Sequence, residues 1–467
     1  MKMWSGRFRQ PLDAGFERWQ RSFPFDQRLL AQEVAASRVH AEALLKAGMI
    51  SANELKAITE GLAQMVEEAA ASPAFLEDDG AEDVHHFVEK RLVELIGETG
   101  YKLHSGRSRN EQIATDLRLY VVHAIDQTRG RLGELVGVLL ERAEQAGGAA
   151  MPAYTHLQRA EPVLVAHWLL AYTEMLFRDL ERLADCRKRA NLCPLGSGAV
   201  AGATLSLDRC NMAEQLGFEA PTNNSLDATT DRDFMLEFVH TLLLLSLHLS
   251  RWAEEMLLFS TQEYGFIALP EKYSTGSSAM PQKKNPDLLE LARGKAGRIA
   301  GDFNALVLVL KGLPLAYNKD LQETQEPLFD AAETMLSLLP LVAGWMQEVE
   351  FKYTRMQEAA QSGSLNAWAA ATYLAERGVP FRLAHEKVGN AVRLCLEKGC
   401  ELQELSLEEL RQFSSEFEQD IYSRLSVESV LALHDVHGGT APARVKQAIG
   451  EGKRKLAAVR EEAHAHA

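Results

Sequence analysis

Apolar residues recur three or four positions apart over unusually long stretches of the chain. Between Asn110 and Gln145 they fall at Ile113, Leu117, Tyr120, Val121, Ile125, Leu132, Leu135, Leu139 and Leu140. That spacing predicts one long amphipathic helix. Asp231 to Phe259 is apolar on most faces from Leu242 to Leu247. A helix apolar all round belongs inside a large assembly. Glu161 to Ala190, Pro286 to Lys311 and Glu326 to Glu350 have similar patterns. Five long helices in mid-chain predict a bundle. So much apolar helix surface predicts burial between subunits, hence a homo-oligomer. No alternating Val/Ile/Thr run flanked by Asn-Gly turns occurs, so the expected class is all-α.

The first hundred residues read as shorter helices broken at Gly48, Pro73 and Gly80. Thr354 to Gly363 reads as a second boundary. Shorter helices follow, with breaks at Gly378-Val379-Pro380 and Gly438-Gly439. Glu451 to Ala467, charged and small, reads as a fraying tail with a solvated His464 and His466.

Composition changes this picture little. Of 467 residues, 46% are hydrophobic and 25% charged, ordinary globular values. Fifty basic against 65 acidic residues give a net charge of −15, which argues against a general nucleic-acid surface. Five cysteines without a CxxC pair read as buried reduced thiols. The N-terminal residues lack the apolar core of a signal peptide. The most apolar stretch, Leu242 to Leu249, is interrupted by His248 and soon followed by Arg251, so no membrane span is expected. A cytoplasmic protein is expected.

Four polar segments stand at the ends of the long helices. Ser274 to Asp287 contains Gly276, two prolines, paired serines, two lysines and Asn285. Hydroxyl, ammonium and amide groups together can surround a small dianion. A serine among ammonium groups can ionise more easily, which makes Ser277 or Ser278 a candidate base. Met151 to Pro162 places His156 among Thr155, Gln158 and Arg159. An imidazole carries protons in either direction near neutrality. Leu103 to Gln112 opens a helix with Ser105 or Ser108 as cap and Arg107, Arg109 and Asn110 crowding its N-terminus. Such ends attract anions, and arginine grips carboxylates with two bonds. Pro314 to Glu323 is a polar turn between two long helices. Taken singly these read as surface loops, caps and connectors. Taken together they suit a ligand carrying two or more carboxylates.

These segments also carry a resemblance. Gly276 to Pro286 fits the pattern GSSxMPxKxNP, and the ending Gln282 to Asp287 has the form found in one branch. Further matches run in order: Trp4 to Phe8, Glu82 to His85, Gly106 to Asn110, Tyr154 to Arg159, Pro194 to Gly198, Leu226 to Phe234, Lys311 to Asp320, Val379 to Arg382 and Ala384 to Glu386. On these motifs the chain resembles the argininosuccinate lyase family of the fumarase/aspartase superfamily. The resemblance implies reversible anti elimination of argininosuccinate to L-arginine and fumarate, in arginine biosynthesis, without metal or organic cofactor. It implies Cβ proton abstraction and an aci-carboxylate intermediate. The implied catalytic residues are Ser277 as base, Lys283, His156 toward the departing nitrogen and Glu290 orienting that histidine. Implied substrate contacts are Ser37, Arg109, Asn110, Thr155, Asn285, Tyr317 and Gln322, with Asp83 and His85 near the arginine end. It implies a homotetramer with sites shared between subunits. It also implies a domain at 1–109, a bundle at 110–353 and a third domain at 354–467, the outer two being smaller and helical.

Two departures bear on substrate. Gln325 stands where the family has a lysine, and Ala367 to Ala370 replaces a family Ala-Thr-Asp run. A sister lyase of another succinyl adduct is the second reading. A structural protein on this fold, like the δ-crystallins, is the third, and a helical binding scaffold the weakest. Ser277, Lys283, Asn285, His156 and Glu290 favour the lyase, because a structural protein has no need of them.

Overall fold

The computed structural model describes residues 10–465, so the Trp4 to Phe8 match and His466 lie outside the described residues. The principal helices are α1 (Leu30–Lys46), α2 (Ala52–Ala71), α3 (Val84–Ile96), α4 (Arg109–Ala146), α5 (Val165–Ala190), α6 (Asp233–Ser260), α7 (Asp287–Leu310), α8 (Gln325–Glu348), α9 (Phe381–Lys398) and α10 (Pro442–Ala465). Helix α4 alone has 38 residues, about 57 Å at 1.5 Å per residue. The mostly helical class is as expected. Two departures from it are β1 (Ala150–Thr155) and β2 (Gln158–Leu164), which pair as an antiparallel hairpin. The helix expected from Glu161 therefore starts only at Val165. Pro152 faces Pro162 across this ribbon, where the missing N–H groups cost little because each strand has a free edge.

The chain forms two compact units. One comprises residues Met1–Thr128, Glu181–Leu243 and Gly297–Met335; the other comprises Arg129–Leu180, Leu244–Ala296 and Leu336–Ala467. The boundary falls within each of the five long helices.

In the first unit, Ala36, Val39 and Ala43 of α1 pack with Cys193, Leu195, Met212 and Phe218. Arg118 closes the end of α5, donating to the carbonyls of Arg189 and Ala190 at 3.0 Å each. A cation suits a helix C-terminus, where orphan carbonyls carry negative charge. Gly106 has φ +68°, and a Cβ there would meet Leu205 at 2.6 Å. Only glycine fits this turn into α4.

In the second unit, Pro340 sits inside α8. Proline has no N–H, so the carbonyl of Leu336 lacks its helical donor. Arg131 supplies one instead. Tyr373, Leu374, Ala384, Val388 and Phe417 form a core around α9. Helix α10 continues to Ala465 rather than fraying from Glu451. Leu456 packs over Gly133 and Gly137 of α4, and Gly452 lies against Leu140. Glycines on both helices let them approach closely, and that contact holds the charged tail sequence helical.

Two further expectations change. Cys186, Cys193 and Cys395 are buried free thiols, but Cys210 is exposed and Cys400 half-buried. Segments Asp233–Ser260 and Lys319–Glu348 are long and apolar enough to cross a membrane, although half (50%) and 61% of their most apolar windows are buried within the protein. Scanning for uninterrupted runs missed both.

Candidate active site

The second unit holds the chemical segments. Thr275–Gly276 pairs antiparallel with Lys284–Asn285, which closes the serine loop at its base. Asp287 fastens the same point, accepting from the Thr275 backbone at 3.0 Å and its hydroxyl at 2.8 Å. Asn285 donates to the Thr275 hydroxyl and to the Gly276 carbonyl, both at 3.3 Å. Gly276 has no positive φ, and a Cβ there would meet only the Lys283 carbonyl at 4.0 Å. Gly276 thus adopts no conformation that requires glycine.

The half-buried Ser277 is the centre of a small turn. Its hydroxyl oxygen accepts from the backbone N–H of Ala279 at 3.3 Å and of Met280 at 3.1 Å. Two donors aimed at one oxygen favour its charged form. Ser278 and Lys283 are exposed, and so is Glu290 in the first turn of α7.

His156 and Leu157 form the two-residue tip of the β1–β2 hairpin, with φ of 55° and 58°. Left-handed geometry at both positions matches the twist of the strands, but non-glycine residues seldom adopt it. The tip is held from behind. Tyr154 packs against Tyr264 and Phe259, and Arg159 donates to the Ser362 hydroxyl at 2.7 Å. Thr155, His156 and Leu157 are exposed. Among the described residues, no hydrogen bond or ion pair within the chain joins His156, Ser277 and Glu290.

The first unit holds five of the expected substrate contacts, Ser37, Arg109, Asn110, Tyr317 and Gln322, whereas Thr155 and Asn285 lie in the second. Ser108 caps α4: its backbone N–H donates to Glu111 at 2.9 Å, and its hydroxyl accepts from Asn110 N–H at 3.3 Å. Arg109 lies 3.0 Å from Asp83 and 3.4 Å from Glu82. Burial disfavours its charge, yet Asp83 and Glu82 more than offset that and raise its pKa. Lys319 reaches Glu82 at 3.6 Å. Tyr317 follows Ala316, whose φ is 70°. Burial pushes its phenol up to about 12, with Arg232, Asp83 and Arg109 nearby. Gln322 donates to the Gln20 carbonyl at 3.1 Å. Gln325 is buried, and its side-chain oxygen lacks a donor. Ser37 is wholly buried and bonded to Glu33 at 2.7 Å and Arg107 at 2.8 Å.

Sequence reasoning gave no role to Glu33, Asp116 or Arg232. Arg232 is buried with Nε and Nη2 unpartnered, and desolvation lowers it to about 10. Glu33, Ser37 and His40 are a buried polar stripe at helical spacing on α1. Polar residues at positions i, i+4 and i+7 between Leu30, Val34, Ala41 and Leu44 were the available signal.

Comparisons with known proteins follow this geometry. A family profile described as lyase matches residues 6–301, and a second, described as argininosuccinate lyase C-terminal, matches 364–432. A solved EDDS lyase in complex with formate superposes with TM-score 0.83 at 25% identity, covering 98% of this chain and 93% of the other. A class II fumarase from Schistosoma mansoni superposes with TM-score 0.73 at 17% identity, covering 85% and 89%, a likeness of fold alone. The chain is thus a lyase on the fumarase/aspartase fold. Argininosuccinate lyase from Koribacter versatilis (strain Ellin345) is 57% identical over 467 residues, all of both chains. That from Acidobacterium capsulatum is 58% identical over 454 residues, covering 96% of this chain and 93% of the relative. The chain belongs to the argininosuccinate lyase family.

Proposed function

We propose that this lyase cleaves argininosuccinate reversibly to L-arginine and fumarate, as a step of arginine biosynthesis in the cytoplasm. Ser277 takes the Cβ proton. The adjacent carboxylate accepts the charge as an aci-carboxylate, held by Lys283 and Asn285. The C–N bond then breaks as His156 passes a proton toward the departing guanidinium nitrogen, with Glu290 orienting the imidazole. Arg109, Asn110, Thr155, Tyr317, Gln322 and Ser37 bind or line the substrate.

One observation carries the chemical part: the Ser277 oxygen already accepts two backbone N–H groups. Two preset N–H groups stabilise the alkoxide that Ser277 must carry before it can take a proton. The substrate rests on the likeness to curated relatives over the whole chain. The exposed His156 tip and serine loop fit a homotetramer in which different subunits supply parts of each site. Lys319, drawn to Glu82, offers the ammonium that Gln325 lacks.

The test is fumarate release, followed by ultraviolet absorbance, from argininosuccinate, adenylosuccinate, aspartate and malate. Release from argininosuccinate alone is expected. Release from another substrate alone would make this a sister lyase. Silence with all four, from folded protein, would contradict the enzyme reading.

A further inference from the structure

The first unit contains a buried charged cluster in which only Ser37 has a part in the reading above. Glu33 of α1 is its hub. One carboxylate oxygen accepts from the Ser37 hydroxyl at 2.7 Å and from the Gln112 amide at 3.0 Å. The guanidinium of Arg107 lies 3.7 Å from the same oxygen. The other oxygen meets His85 Nδ1 at 2.9 Å. Asp116 lies 3.6 Å from that nitrogen, and neither of its oxygens has a hydrogen-bond partner. Glu33, Ser37, His85, Gln112 and Asp116 are all buried.

These bonds reach the N-terminal ends of α3 and α4, which flank Arg109. Gln112 stands one turn beyond Arg109 on α4. Arg107 is in the turn that opens α4, and also donates to Ser37 at 2.8 Å. His85 follows Asp83, the carboxylate that lies 3.0 Å from Arg109. Asp83 itself caps α3, accepting from His86 N–H at 2.8 Å, and Asp26 accepts from Val84 N–H at 3.0 Å.

We infer that Glu33 is a positioning residue for the lyase reaction: it fixes the α3 and α4 N-termini against each other, and so fixes where Arg109 is presented to a substrate carboxylate. This rests on the reading of Arg109 as a substrate ligand.

The electrostatics support a fixed hub. Burial alone would raise the Glu33 pKa, but Arg107, His85 and the hydrogen bonds outweigh it and hold the carboxyl well below its usual range. Burial works against a charged His85, yet Glu33 and Asp83 lift it. Burial and the Glu33 charge raise Asp116 well above the ordinary carboxylate value. Ligand atoms of Glu33, His85 and Asp116 also lie within 4.8 Å of one another, near enough for a cation. Glu33 already has three hydrogen bonds and an adjacent guanidinium, however, so its charge has partners without one. Removing one member of such a buried set leaves the others uncompensated.

The experiment compares Glu33→Gln, Glu33→Asp, Gln112→Met and Arg109→Lys with the parent tetramer, measuring KM and kcat on argininosuccinate. Metal content is measured on the parent and Glu33→Gln. Glu33→Gln keeps the size and removes the charge. It is expected to raise KM about tenfold with kcat within about threefold, because binding common to ground and transition state is lost. Glu33→Asp is expected to recover part of that KM. Gln112→Met, which cuts one tether only, is expected to raise KM about threefold; it decides the matter if Glu33→Gln does not fold. Unchanged KM in the folded variants, with Arg109→Lys impaired, would overturn the positioning role. Equal losses in kcat and kcat/KM would overturn it too, since a merely structural or a chemical residue behaves that way. Stoichiometric metal in the parent, lost in Glu33→Gln, would replace the role by a metal site. Arg109→Lys with unchanged KM would sink the substrate reading of Arg109 instead.

Discussion

The neighbourhood of Arg109 and the loop around Ser277 are built in opposite ways. Around Arg109 the polar groups are buried and bonded to one another across α1, α3 and α4. Around Ser277 the loop is closed only at its base, and Ser278 and Lys283 stand in solvent. The His156 tip is similarly exposed while its stem is packed. In one region the polar groups have their partners before anything binds; in the other they face solvent. On the proposed function, that leaves the serine loop and the hairpin tip free to close on substrate.

Several substitutions break or sharpen this contrast. The largest effect belongs to Ser277→Ala, which should lower kcat roughly 10⁴-fold, the upper range for one proton-transfer group. Its elution on size exclusion should match the parent; near-normal turnover would remove Ser277 from its role.

The next concerns the preset region. Burial, with Asp83 nearby, raises Asp26 from 3.8 to about 7. The folded state therefore holds this proton more tightly than the unfolded chain. Between those two values the unfolded chain binds fewer protons, so stability falls as pH rises. The contribution is about 4 kcal/mol at 1.36 kcal/mol per unit. Asp26→Asn should remove that slope in denaturant titrations at pH 4.5 and 7.5. An unaltered slope would mean that Asp26 ionises freely.

His156→Asn should cost about 10² in kcat. Asparagine tolerates positive φ, so the hairpin tip keeps its shape. Full activity would place the acid elsewhere. The smallest effects come from a glycine pair read by chemical denaturation. Gly106→Ala faces positive φ and Leu205 at 2.6 Å, and should destabilise by about 2 kcal/mol. Gly276→Ala meets only one carbonyl at 4.0 Å and should stay within about 0.5 kcal/mol. Equal effects would erase the distinction between a packed turn and an open loop.

Much of this was legible in the chain. The apolar period placed α4 within one residue at each end, because long one-faced repeats leave little ambiguity. The β1–β2 hairpin was not legible. Its strands carry prolines and polar residues, and its tip uses His156 and Leu157 where a sequence signal would be Asn-Gly. The end of α10 was missed because what holds it, Leu456 on Gly133 and Gly137, is tertiary. The loop residues were visible as a polar cluster, and their roles came through resemblance. The hub was missed for a different reason. Glu33 and Asp116 are acids that sequence statistics place at the surface; the polar stripe Glu33, Ser37 and His40 on α1 was the available signal, and shared burial with His85 reveals the network.

The most direct test is hydrogen exchange on the Ser277→Ala variant, with and without argininosuccinate. The loop at 274–287 should exchange fast alone and slow when substrate is bound, while residues 107–112 stay slow in both states. A loop already slow and indifferent to substrate, or a 107–112 turn that becomes protected only on binding, would contradict the account.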